Sequence, residues 1–169
     1  MTSTAVLSVY LVRHAIAAER GERWPDDTKR PLTSDGIARM RKVVKGLREL
    51  DVVASTIYTS PLVRAVQTAE IVAGGLKPEP EMKVLPALAP GGQPAKVAEA
   101  LGSHKAPSGI VLVGHEPDLG ELAAWLIGAK TPLPFKKGGA CRIDLAAPAT
   151  ARTGQLVWLA TPKMLRAVR

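Results

Sequence analysis

Gly109-Ile110-Val111-Leu112-Val113-Gly114-His115 is a continuous apolar run that stops on a histidine. It shows no polar alternation, so it reads as a central strand buried on both faces, as in a sheet covered by helices on each side. Pro117 then opens a helix and Gly128 stops it.

Working outward, apolar runs alternate with helical patterns, which is the signature of an α/β layered fold. Leu7 to Val12 is a strand that runs into Arg13-His14. A polar loop from Ala18 to about Pro31 follows and contains the adjacent pair Asp26-Asp27. Thr33 or Ser34 caps a helix with an apolar stripe of Ile37, Met40, Val44 and Leu47. Thr56-Ile57-Tyr58 is a short strand. Ser60 as N-cap and Pro61 at the first helical position open a second helix, which ends at Gly74-Gly75. A strand near Lys83-Val84-Leu85 and a helix from about Gln93 to Leu101 precede the central strand. Two strands, Arg142 to Ala146 and Gln155 to Ala160, close the chain. The Pro/Thr/Gly turn between them makes them antiparallel. No repeat or linker divides the chain, so residues 1–169 are expected to form a single domain.

Composition narrows the function classes. Aromatic residues are only 4% of the chain, so the core must be aliphatic. The net charge of +8 raises nucleic acid, a membrane surface or an acidic partner as options. The cations are spread along the sequence, the densest groups being Arg39-Met40-Arg41-Lys42 and Lys136-Lys137. With no longer basic run and no interleaved aromatics, a solvated basic surface is the preferred reading over nucleic-acid binding. The lone Cys141 cannot form an internal disulfide and reads as a small buried hydrophobe. With no signal peptide and no apolar stretch of transmembrane length, a cytoplasmic protein without membrane association is expected.

Three polar clusters follow strands: Arg13-His14, Ser60 to Arg64, and Gly114-His115. If those strands are parallel, the clusters meet beyond their carboxyl ends, where open α/β sheets bind ligands. Arginine forks match phosphoryl oxygens. Arg64 stands in the first turn of a helix, where the dipole disfavours a cation unless an anion is held there. A neutral imidazole can attack phosphorus, and a second, protonated histidine would bind equatorial oxygens. Taken singly, His14, Arg13, Arg64 and His115 each read as ordinary structural or surface residues, and Arg64 could pair with Glu70 or another carboxylate. The joint pattern points to chemistry. No HxxH, CxxC or acid-rich spacing suggests a metal, and Asp26-Asp27 is a weak ligand pair. No cofactor is expected.

Leu11-Val12-Arg13-His14-Ala15 resembles the Arg-His-Gly signature of the histidine phosphatase superfamily, with Ala15 in place of glycine. Ser60 to Ala69 resembles the second motif of that superfamily, and Val113 to Pro117 resembles the third. Arg30-Pro31-Leu32-Thr33 with Gly36, and Val84 to Gly92, are similar to the small phosphohistidine phosphatases of the SixA type. The likeness runs from Val9 to about Leu159. It implies a three-layer α/β/α fold like that of phosphoglycerate mutase, with a mostly parallel sheet and an antiparallel C-terminal edge.

It also implies His14 as nucleophile and Arg13, Arg64 and His115 as the phosphate pocket. The implied activity is a metal-independent phosphatase whose substrate is phosphohistidine on a protein, such as a phosphotransfer domain of a signalling relay. The general acid of many superfamily members is missing from Ala87-Leu88-Ala89-Pro90. Glu116 is the one candidate substitute, though it reads better as a helix-start residue beside Pro117. Two alternatives stand beside this reading: a phosphatase for small phosphorylated metabolites or phosphoanhydrides, and a phosphate-recognition module without turnover.

Overall fold

The computed structural model describes residues 6–105, 107–146 and 150–169. Strands β1 (Leu7–Arg13), β2 (Thr56–Thr59), β3 (Glu81–Val84), β4 (Ser108–Gly114), β5 (Ala140–Leu145) and β6 (Gly154–Ala160) form one sheet in the order β3-β2-β4-β1-β5-β6. The β1·β4, β2·β4 and β2·β3 pairs are parallel, and the β1·β5 and β5·β6 pairs are antiparallel. The expected architecture is therefore present, including the antiparallel C-terminal edge. Part of the turn expected between β5 and β6, at 147–149, lies outside the described residues.

The two sheet faces are covered because side chains alternate along each strand. Tyr10 and Val12 of β1, with Val111 and Val113 of β4, pack beneath helices α1 (Ser34–Glu49) and α2 (Val63–Gly75). Val9 and Leu11, with Ile110 and Leu112, pack on the other face beneath α3 (Pro94–Leu101) and α4 (Asp118–Ile127). A short α5 (Pro162–Leu165) joins the α1 side through buried Leu165. Cys141 is buried within β5, and burial pushes its thiol up to about 12, which keeps it an inert hydrophobe. No helix among the described residues is long and apolar enough to cross a membrane.

The Thr33 cap forms as expected, its hydroxyl accepting the Gly36 N–H at 2.9 Å. The expected start of α2 does not. Helix α2 begins at Val63 with Leu62 at the N-cap position, so Ser60-Pro61 stays outside it. The Ser60 hydroxyl is instead committed to a buried contact with His115. Gly128 ends α4 in the left-handed conformation that favours glycine.

Helix α1 starts close to the segment after His14. A Cβ on Gly36 would lie 2.1 Å from the Ile16 carbonyl oxygen. That oxygen also accepts the Thr33 N–H at 3.0 Å, so it cannot simply move aside. Gly36→Ala should therefore destabilise the fold by about 1–3 kcal/mol, read as a lower denaturant midpoint. An unchanged midpoint would show that the 15–18 segment yields freely.

Candidate active site

Helix α1 follows β1 on one face of the sheet, and α4 follows β4 on the other. The chain thus leaves these adjacent strands in opposite directions, which opens a crevice at their carboxyl ends. The β1·β4 register pairs Arg13 with Gly114, which sets the following His14 and His115 side by side. Their ring centroids are 5.1 Å apart. The β2·β4 register pairs Thr59 with Val113 and brings Ser60 to the same edge. A cleft of about 470 Å³ there is lined by Arg13, His14, Asp27, Arg64, His115 and Glu116, among others. All five residues singled out from sequence meet in it.

His14 is 5% exposed, and its Nδ1 lies 2.7 Å from the Ala15 carbonyl oxygen. A carbonyl can only accept, so Nδ1 carries the proton and Nε2 of the neutral ring keeps its lone pair. Burial, reinforced by the charges of Arg64 and Arg13, holds the pKa of His14 down to about 3, against the pull of the Ala15 carbonyl. The ring is then a free base, ready as a nucleophile, throughout the neutral range. Ala15 fits without strain: its φ is not positive, and its N–H donates to Thr68 Oγ1 at 3.0 Å.

His115 Nε2 is 2.8 Å from Ser60 Oγ. Burial first, then the charge of Arg64, lowers its pKa to about 4. The protonated second histidine expected from sequence is therefore neutral in the free protein. An arriving phosphoryl dianion would reverse that balance.

Arg64 is buried in the first turn of α2, as the sequence implied, but its partner is Asp27 and not Glu70. One guanidinium arm donates to the Asp27 backbone oxygen at 2.8 Å and the other to Asp27 Oδ2 at 3.1 Å. Arg30 donates through Nε to Asp27 Oδ1 at 3.0 Å and through an arm to the Ala18 oxygen. Burial opposes ionisation of Asp27, but the Arg30 hydrogen bond and the Arg64 charge keep its carboxyl below the ordinary range. Asp26 caps the short 3-10 turn at Asp27–Lys29. The acidic pair read from sequence as a weak metal site is thus one helix cap and one arginine clamp. Among the described residues no group of three or more His, Cys, Asp or Glu is placed to hold a metal.

The second cluster works as one helix face. Arg64, Gln67 and Thr68 stand at i, i+3 and i+4 along α2. Gln67 accepts the Leu32 N–H at 2.8 Å, and Thr68 accepts the Ala15 N–H and returns its own proton to the Arg64 carbonyl. One turn of helix therefore ties Arg64 to both loops that frame His14.

Arg13 donates to the Phe135 oxygen at 2.7 Å. Arg13 Nε, Arg64 Nε and His115 Nδ1 are buried nitrogens with no hydrogen-bond partner among the described residues, and all three residues line this cleft. Native folds rarely leave such groups unpaired. Glu116 Oε1 accepts the Gly120 N–H at 3.0 Å, so this carboxylate serves the start of α4, while burial raises its pKa. It lines the cleft as well.

Sequence reasoning missed Asp27 and Ser60 as site residues. Their signals were present but ambiguous: an acid three residues before Arg30, and a serine that equally suits a helix cap.

Comparison with known proteins addresses the family and the fold. A family model described as the histidine phosphatase superfamily (branch 1) matches residues 9–89. An uncharacterized protein of Picosynechococcus sp. (strain ATCC 27264 / PCC 7002 / PR-6) is 39% identical over 166 residues, covering 94% of this chain and 99% of that one. Phosphohistidine phosphatase SixA of Escherichia coli (strain K12) is 28% identical over 167 residues, covering 96% of this chain and 100% of SixA. A solved structure of the protein histidine phosphatase SixA with tungstate superposes with a TM-score of 0.82 at 28% identity, covering 92% of this chain and 97% of the other. The phosphoglycerate mutase of Plasmodium falciparum shares the fold, with a TM-score of 0.65 at 17% identity over 91% of this chain and 90% of its own. Two histidines and two arginines gathered at the β1/β4 crevice, in a chain so related over its length, make this protein a SixA-like member of the histidine phosphatase superfamily.

Proposed function

We propose that the protein hydrolyses phosphohistidine on a protein, such as a phosphotransfer domain of a signalling relay in the cytoplasm, without a metal and through a covalent intermediate on His14. The observation that carries this reading is the convergence of a nucleophilic nitrogen with three buried nitrogens that have no partner among the described residues. Arg13, Arg64 and His115 would take the phosphoryl oxygens while His14 Nε2 attacks phosphorus. The phosphorus–nitrogen bond to the substrate imidazole breaks, and that imidazole leaves neutral once protonated by His115 or solvent. Water then attacks the phosphorylated His14, releases phosphate and regenerates the free imidazole. A free nucleophile speaks against a recognition module without turnover. One observation favours the small-metabolite reading: Glu116 lines the cleft with a raised pKa, which suits an acid for alkoxide leaving groups.

His14→Ala should abolish turnover with the fold retained by circular dichroism. Brief exposure of the wild type to labelled substrate should trap an acid-labile, base-stable phosphoenzyme that the variant lacks. Substantial activity in His14→Ala would sink the mechanism.

Arg64→Ala should cost about 10²–10³ in kcat, the usual scale for a donor aimed at developing charge. Arg64→Lys should also be poor, because an ammonium cannot reproduce the fork. Near-wild-type kinetics for Arg64→Ala would make Arg64 a structural residue.

In the free protein the His14 and His115 ring protons should hold neutral-form NMR shifts as pH falls through 6.5, protonating only toward about 3 and about 4. Both folded pKa values lie below the unfolded one, so the unfolded chain binds more protons in that window. Stability should accordingly be full above about 6.5 and fall as pH drops toward 4. Titration of either ring near 6.5 would contradict the burial argument.

Leaving groups give the sharpest discrimination. Phosphohistidine and other phosphoramidates should show the highest kcat/KM, aryl phosphates less, and alkyl phosphates least. Rates on alkyl phosphates that equal or exceed those on phosphoramidates would refute the preference. If Glu116→Gln lost activity on alkyl phosphates alone, Glu116 would be the acid and the metabolite reading would prevail.

A further inference from the structure

A second groove, of about 350 Å³, adjoins the catalytic cleft. Lys137 lines both, and Ala15, whose carbonyl fixes the His14 ring, lines the groove as well. Its walls come from α1, from the 136–138 segment and from α5. These stretches are far apart in sequence, yet each brings a cation: Arg39, then Lys136 and Lys137, then Lys163 and Arg166. Arg39 is paired with Asp35 at 2.8 Å. Among the described residues the other four have no carboxylate within ion-pair distance. Lys42 adds an exposed cation on α1, whereas Arg41, Lys45 and Arg48 line a separate hollow toward α2 that also holds Glu70. Charges that look scattered in the sequence are thus gathered beside the active site.

We propose that this groove docks the acidic face of the phosphoprotein substrate, so that its phosphohistidine reaches into the adjoining cleft. The inference rests on the phosphohistidine phosphatase reading above and adds the chemistry of the partner. Charge complementarity selects an acidic occupant. The groove floor selects a protein over a nucleic acid. Its uncharged lining includes the half-buried Ile16 and Pro162, which suit aliphatic side chains, and among the described residues it has no aromatic ring on which a base could stack. Fields of this kind act mainly on encounter and its salt dependence.

The test compares wild type with Lys136→Glu/Lys163→Glu, two exposed sites outside the catalytic cleft. One substrate is a strongly acidic four-helix phosphotransfer domain phosphorylated on histidine; the other is the free amino acid phosphohistidine. For the protein substrate, kcat/KM should fall about tenfold or more through KM, and its salt dependence should flatten. For the free amino acid it should change less than about twofold. Loss on neither substrate would overturn the groove and leave the phosphatase reading standing. Equal loss on both would also overturn it, by showing a disturbed catalytic cleft. If the wild type hydrolysed neither substrate, the phosphatase reading would fall. Binding of the unphosphorylated domain by calorimetry would then decide the groove: loss of binding in the double variant supports it, and no binding to wild type overturns it. Tighter binding of a random-sequence DNA duplex than of the acidic domain would overturn the assignment to a protein partner.

Discussion

The parallel register of β1 on β4 is the constraint on which the site depends. Arg13 stands opposite Gly114, and the His14 N–H donates to the Gly114 carbonyl at 3.0 Å. Two histidines far apart in sequence are thereby placed side by side by backbone hydrogen bonds, before any side chain contributes. A slip of one residue would turn every side chain of β1 to the opposite face of the sheet. Tyr10 and Val12 would then leave the α1/α2 core for the α3/α4 core, and Val9 and Leu11 would do the reverse. Packing and the geometry of the candidate site therefore call for the same register.

A second constraint is electrostatic. Arg64 and Arg30 are almost wholly buried, and Asp27 is the carboxylate that serves both. An unpaired buried cation is strongly unfavourable, whereas a hydrogen-bonded pair holds its geometry. Asp27 therefore keeps the guanidinium of Arg64 in place by its two terminal nitrogens and leaves Nε without a partner among the described residues. The polar loop before Arg30 is the segment that supplies this acid. A loop that looks like a mere connection in the sequence supplies the counter-charge of the site.

The layered fold and the convergence of the candidate site residues were legible in the sequence because both rest on local patterns. The apolar run into Gly114 announced a central strand, and the placement of Arg13-His14, Arg64 and His115 after strands announced a shared edge. What was not legible depends on partners distant in sequence. Ser60-Pro61 has the composition of a helix start, yet the helix begins at Val63, and the Ser60 hydroxyl contacts His115 besides accepting the Leu62 N–H. Asp27 gives no sign that Arg64 is its partner, because a carboxylate in a polar loop satisfies local rules equally well in solvent. The basic groove was hidden for the same reason. Arg39, Lys136 and Lys163 each look like ordinary surface cations until the fold brings α1, α5 and the 136–138 segment together.

In the proposed reaction the same physics would order the steps in time. Both imidazoles lie buried among cations, so in the free protein both give up their protons. For His14 that is the required state, since only the neutral ring has a lone pair to offer phosphorus. For His115 it is the state before binding. A phosphoryl dianion brings two negative charges into a low-dielectric cleft, where their effect on a neighbouring pKa is largest. His115, whose Nδ1 has no partner among the described residues, is then drawn toward the protonated form that can donate to an oxygen or to the leaving nitrogen. His14 differs because its Nε2, the atom that would take the proton, is consumed in the bond to phosphorus, while the Ala15 carbonyl holds the Nδ1 proton and so fixes which nitrogen attacks. Two histidines in nearly the same environment can thus take opposite roles, and the difference between them comes from what their Nδ1 atoms face: a carbonyl for His14, and no partner among the described residues for His115.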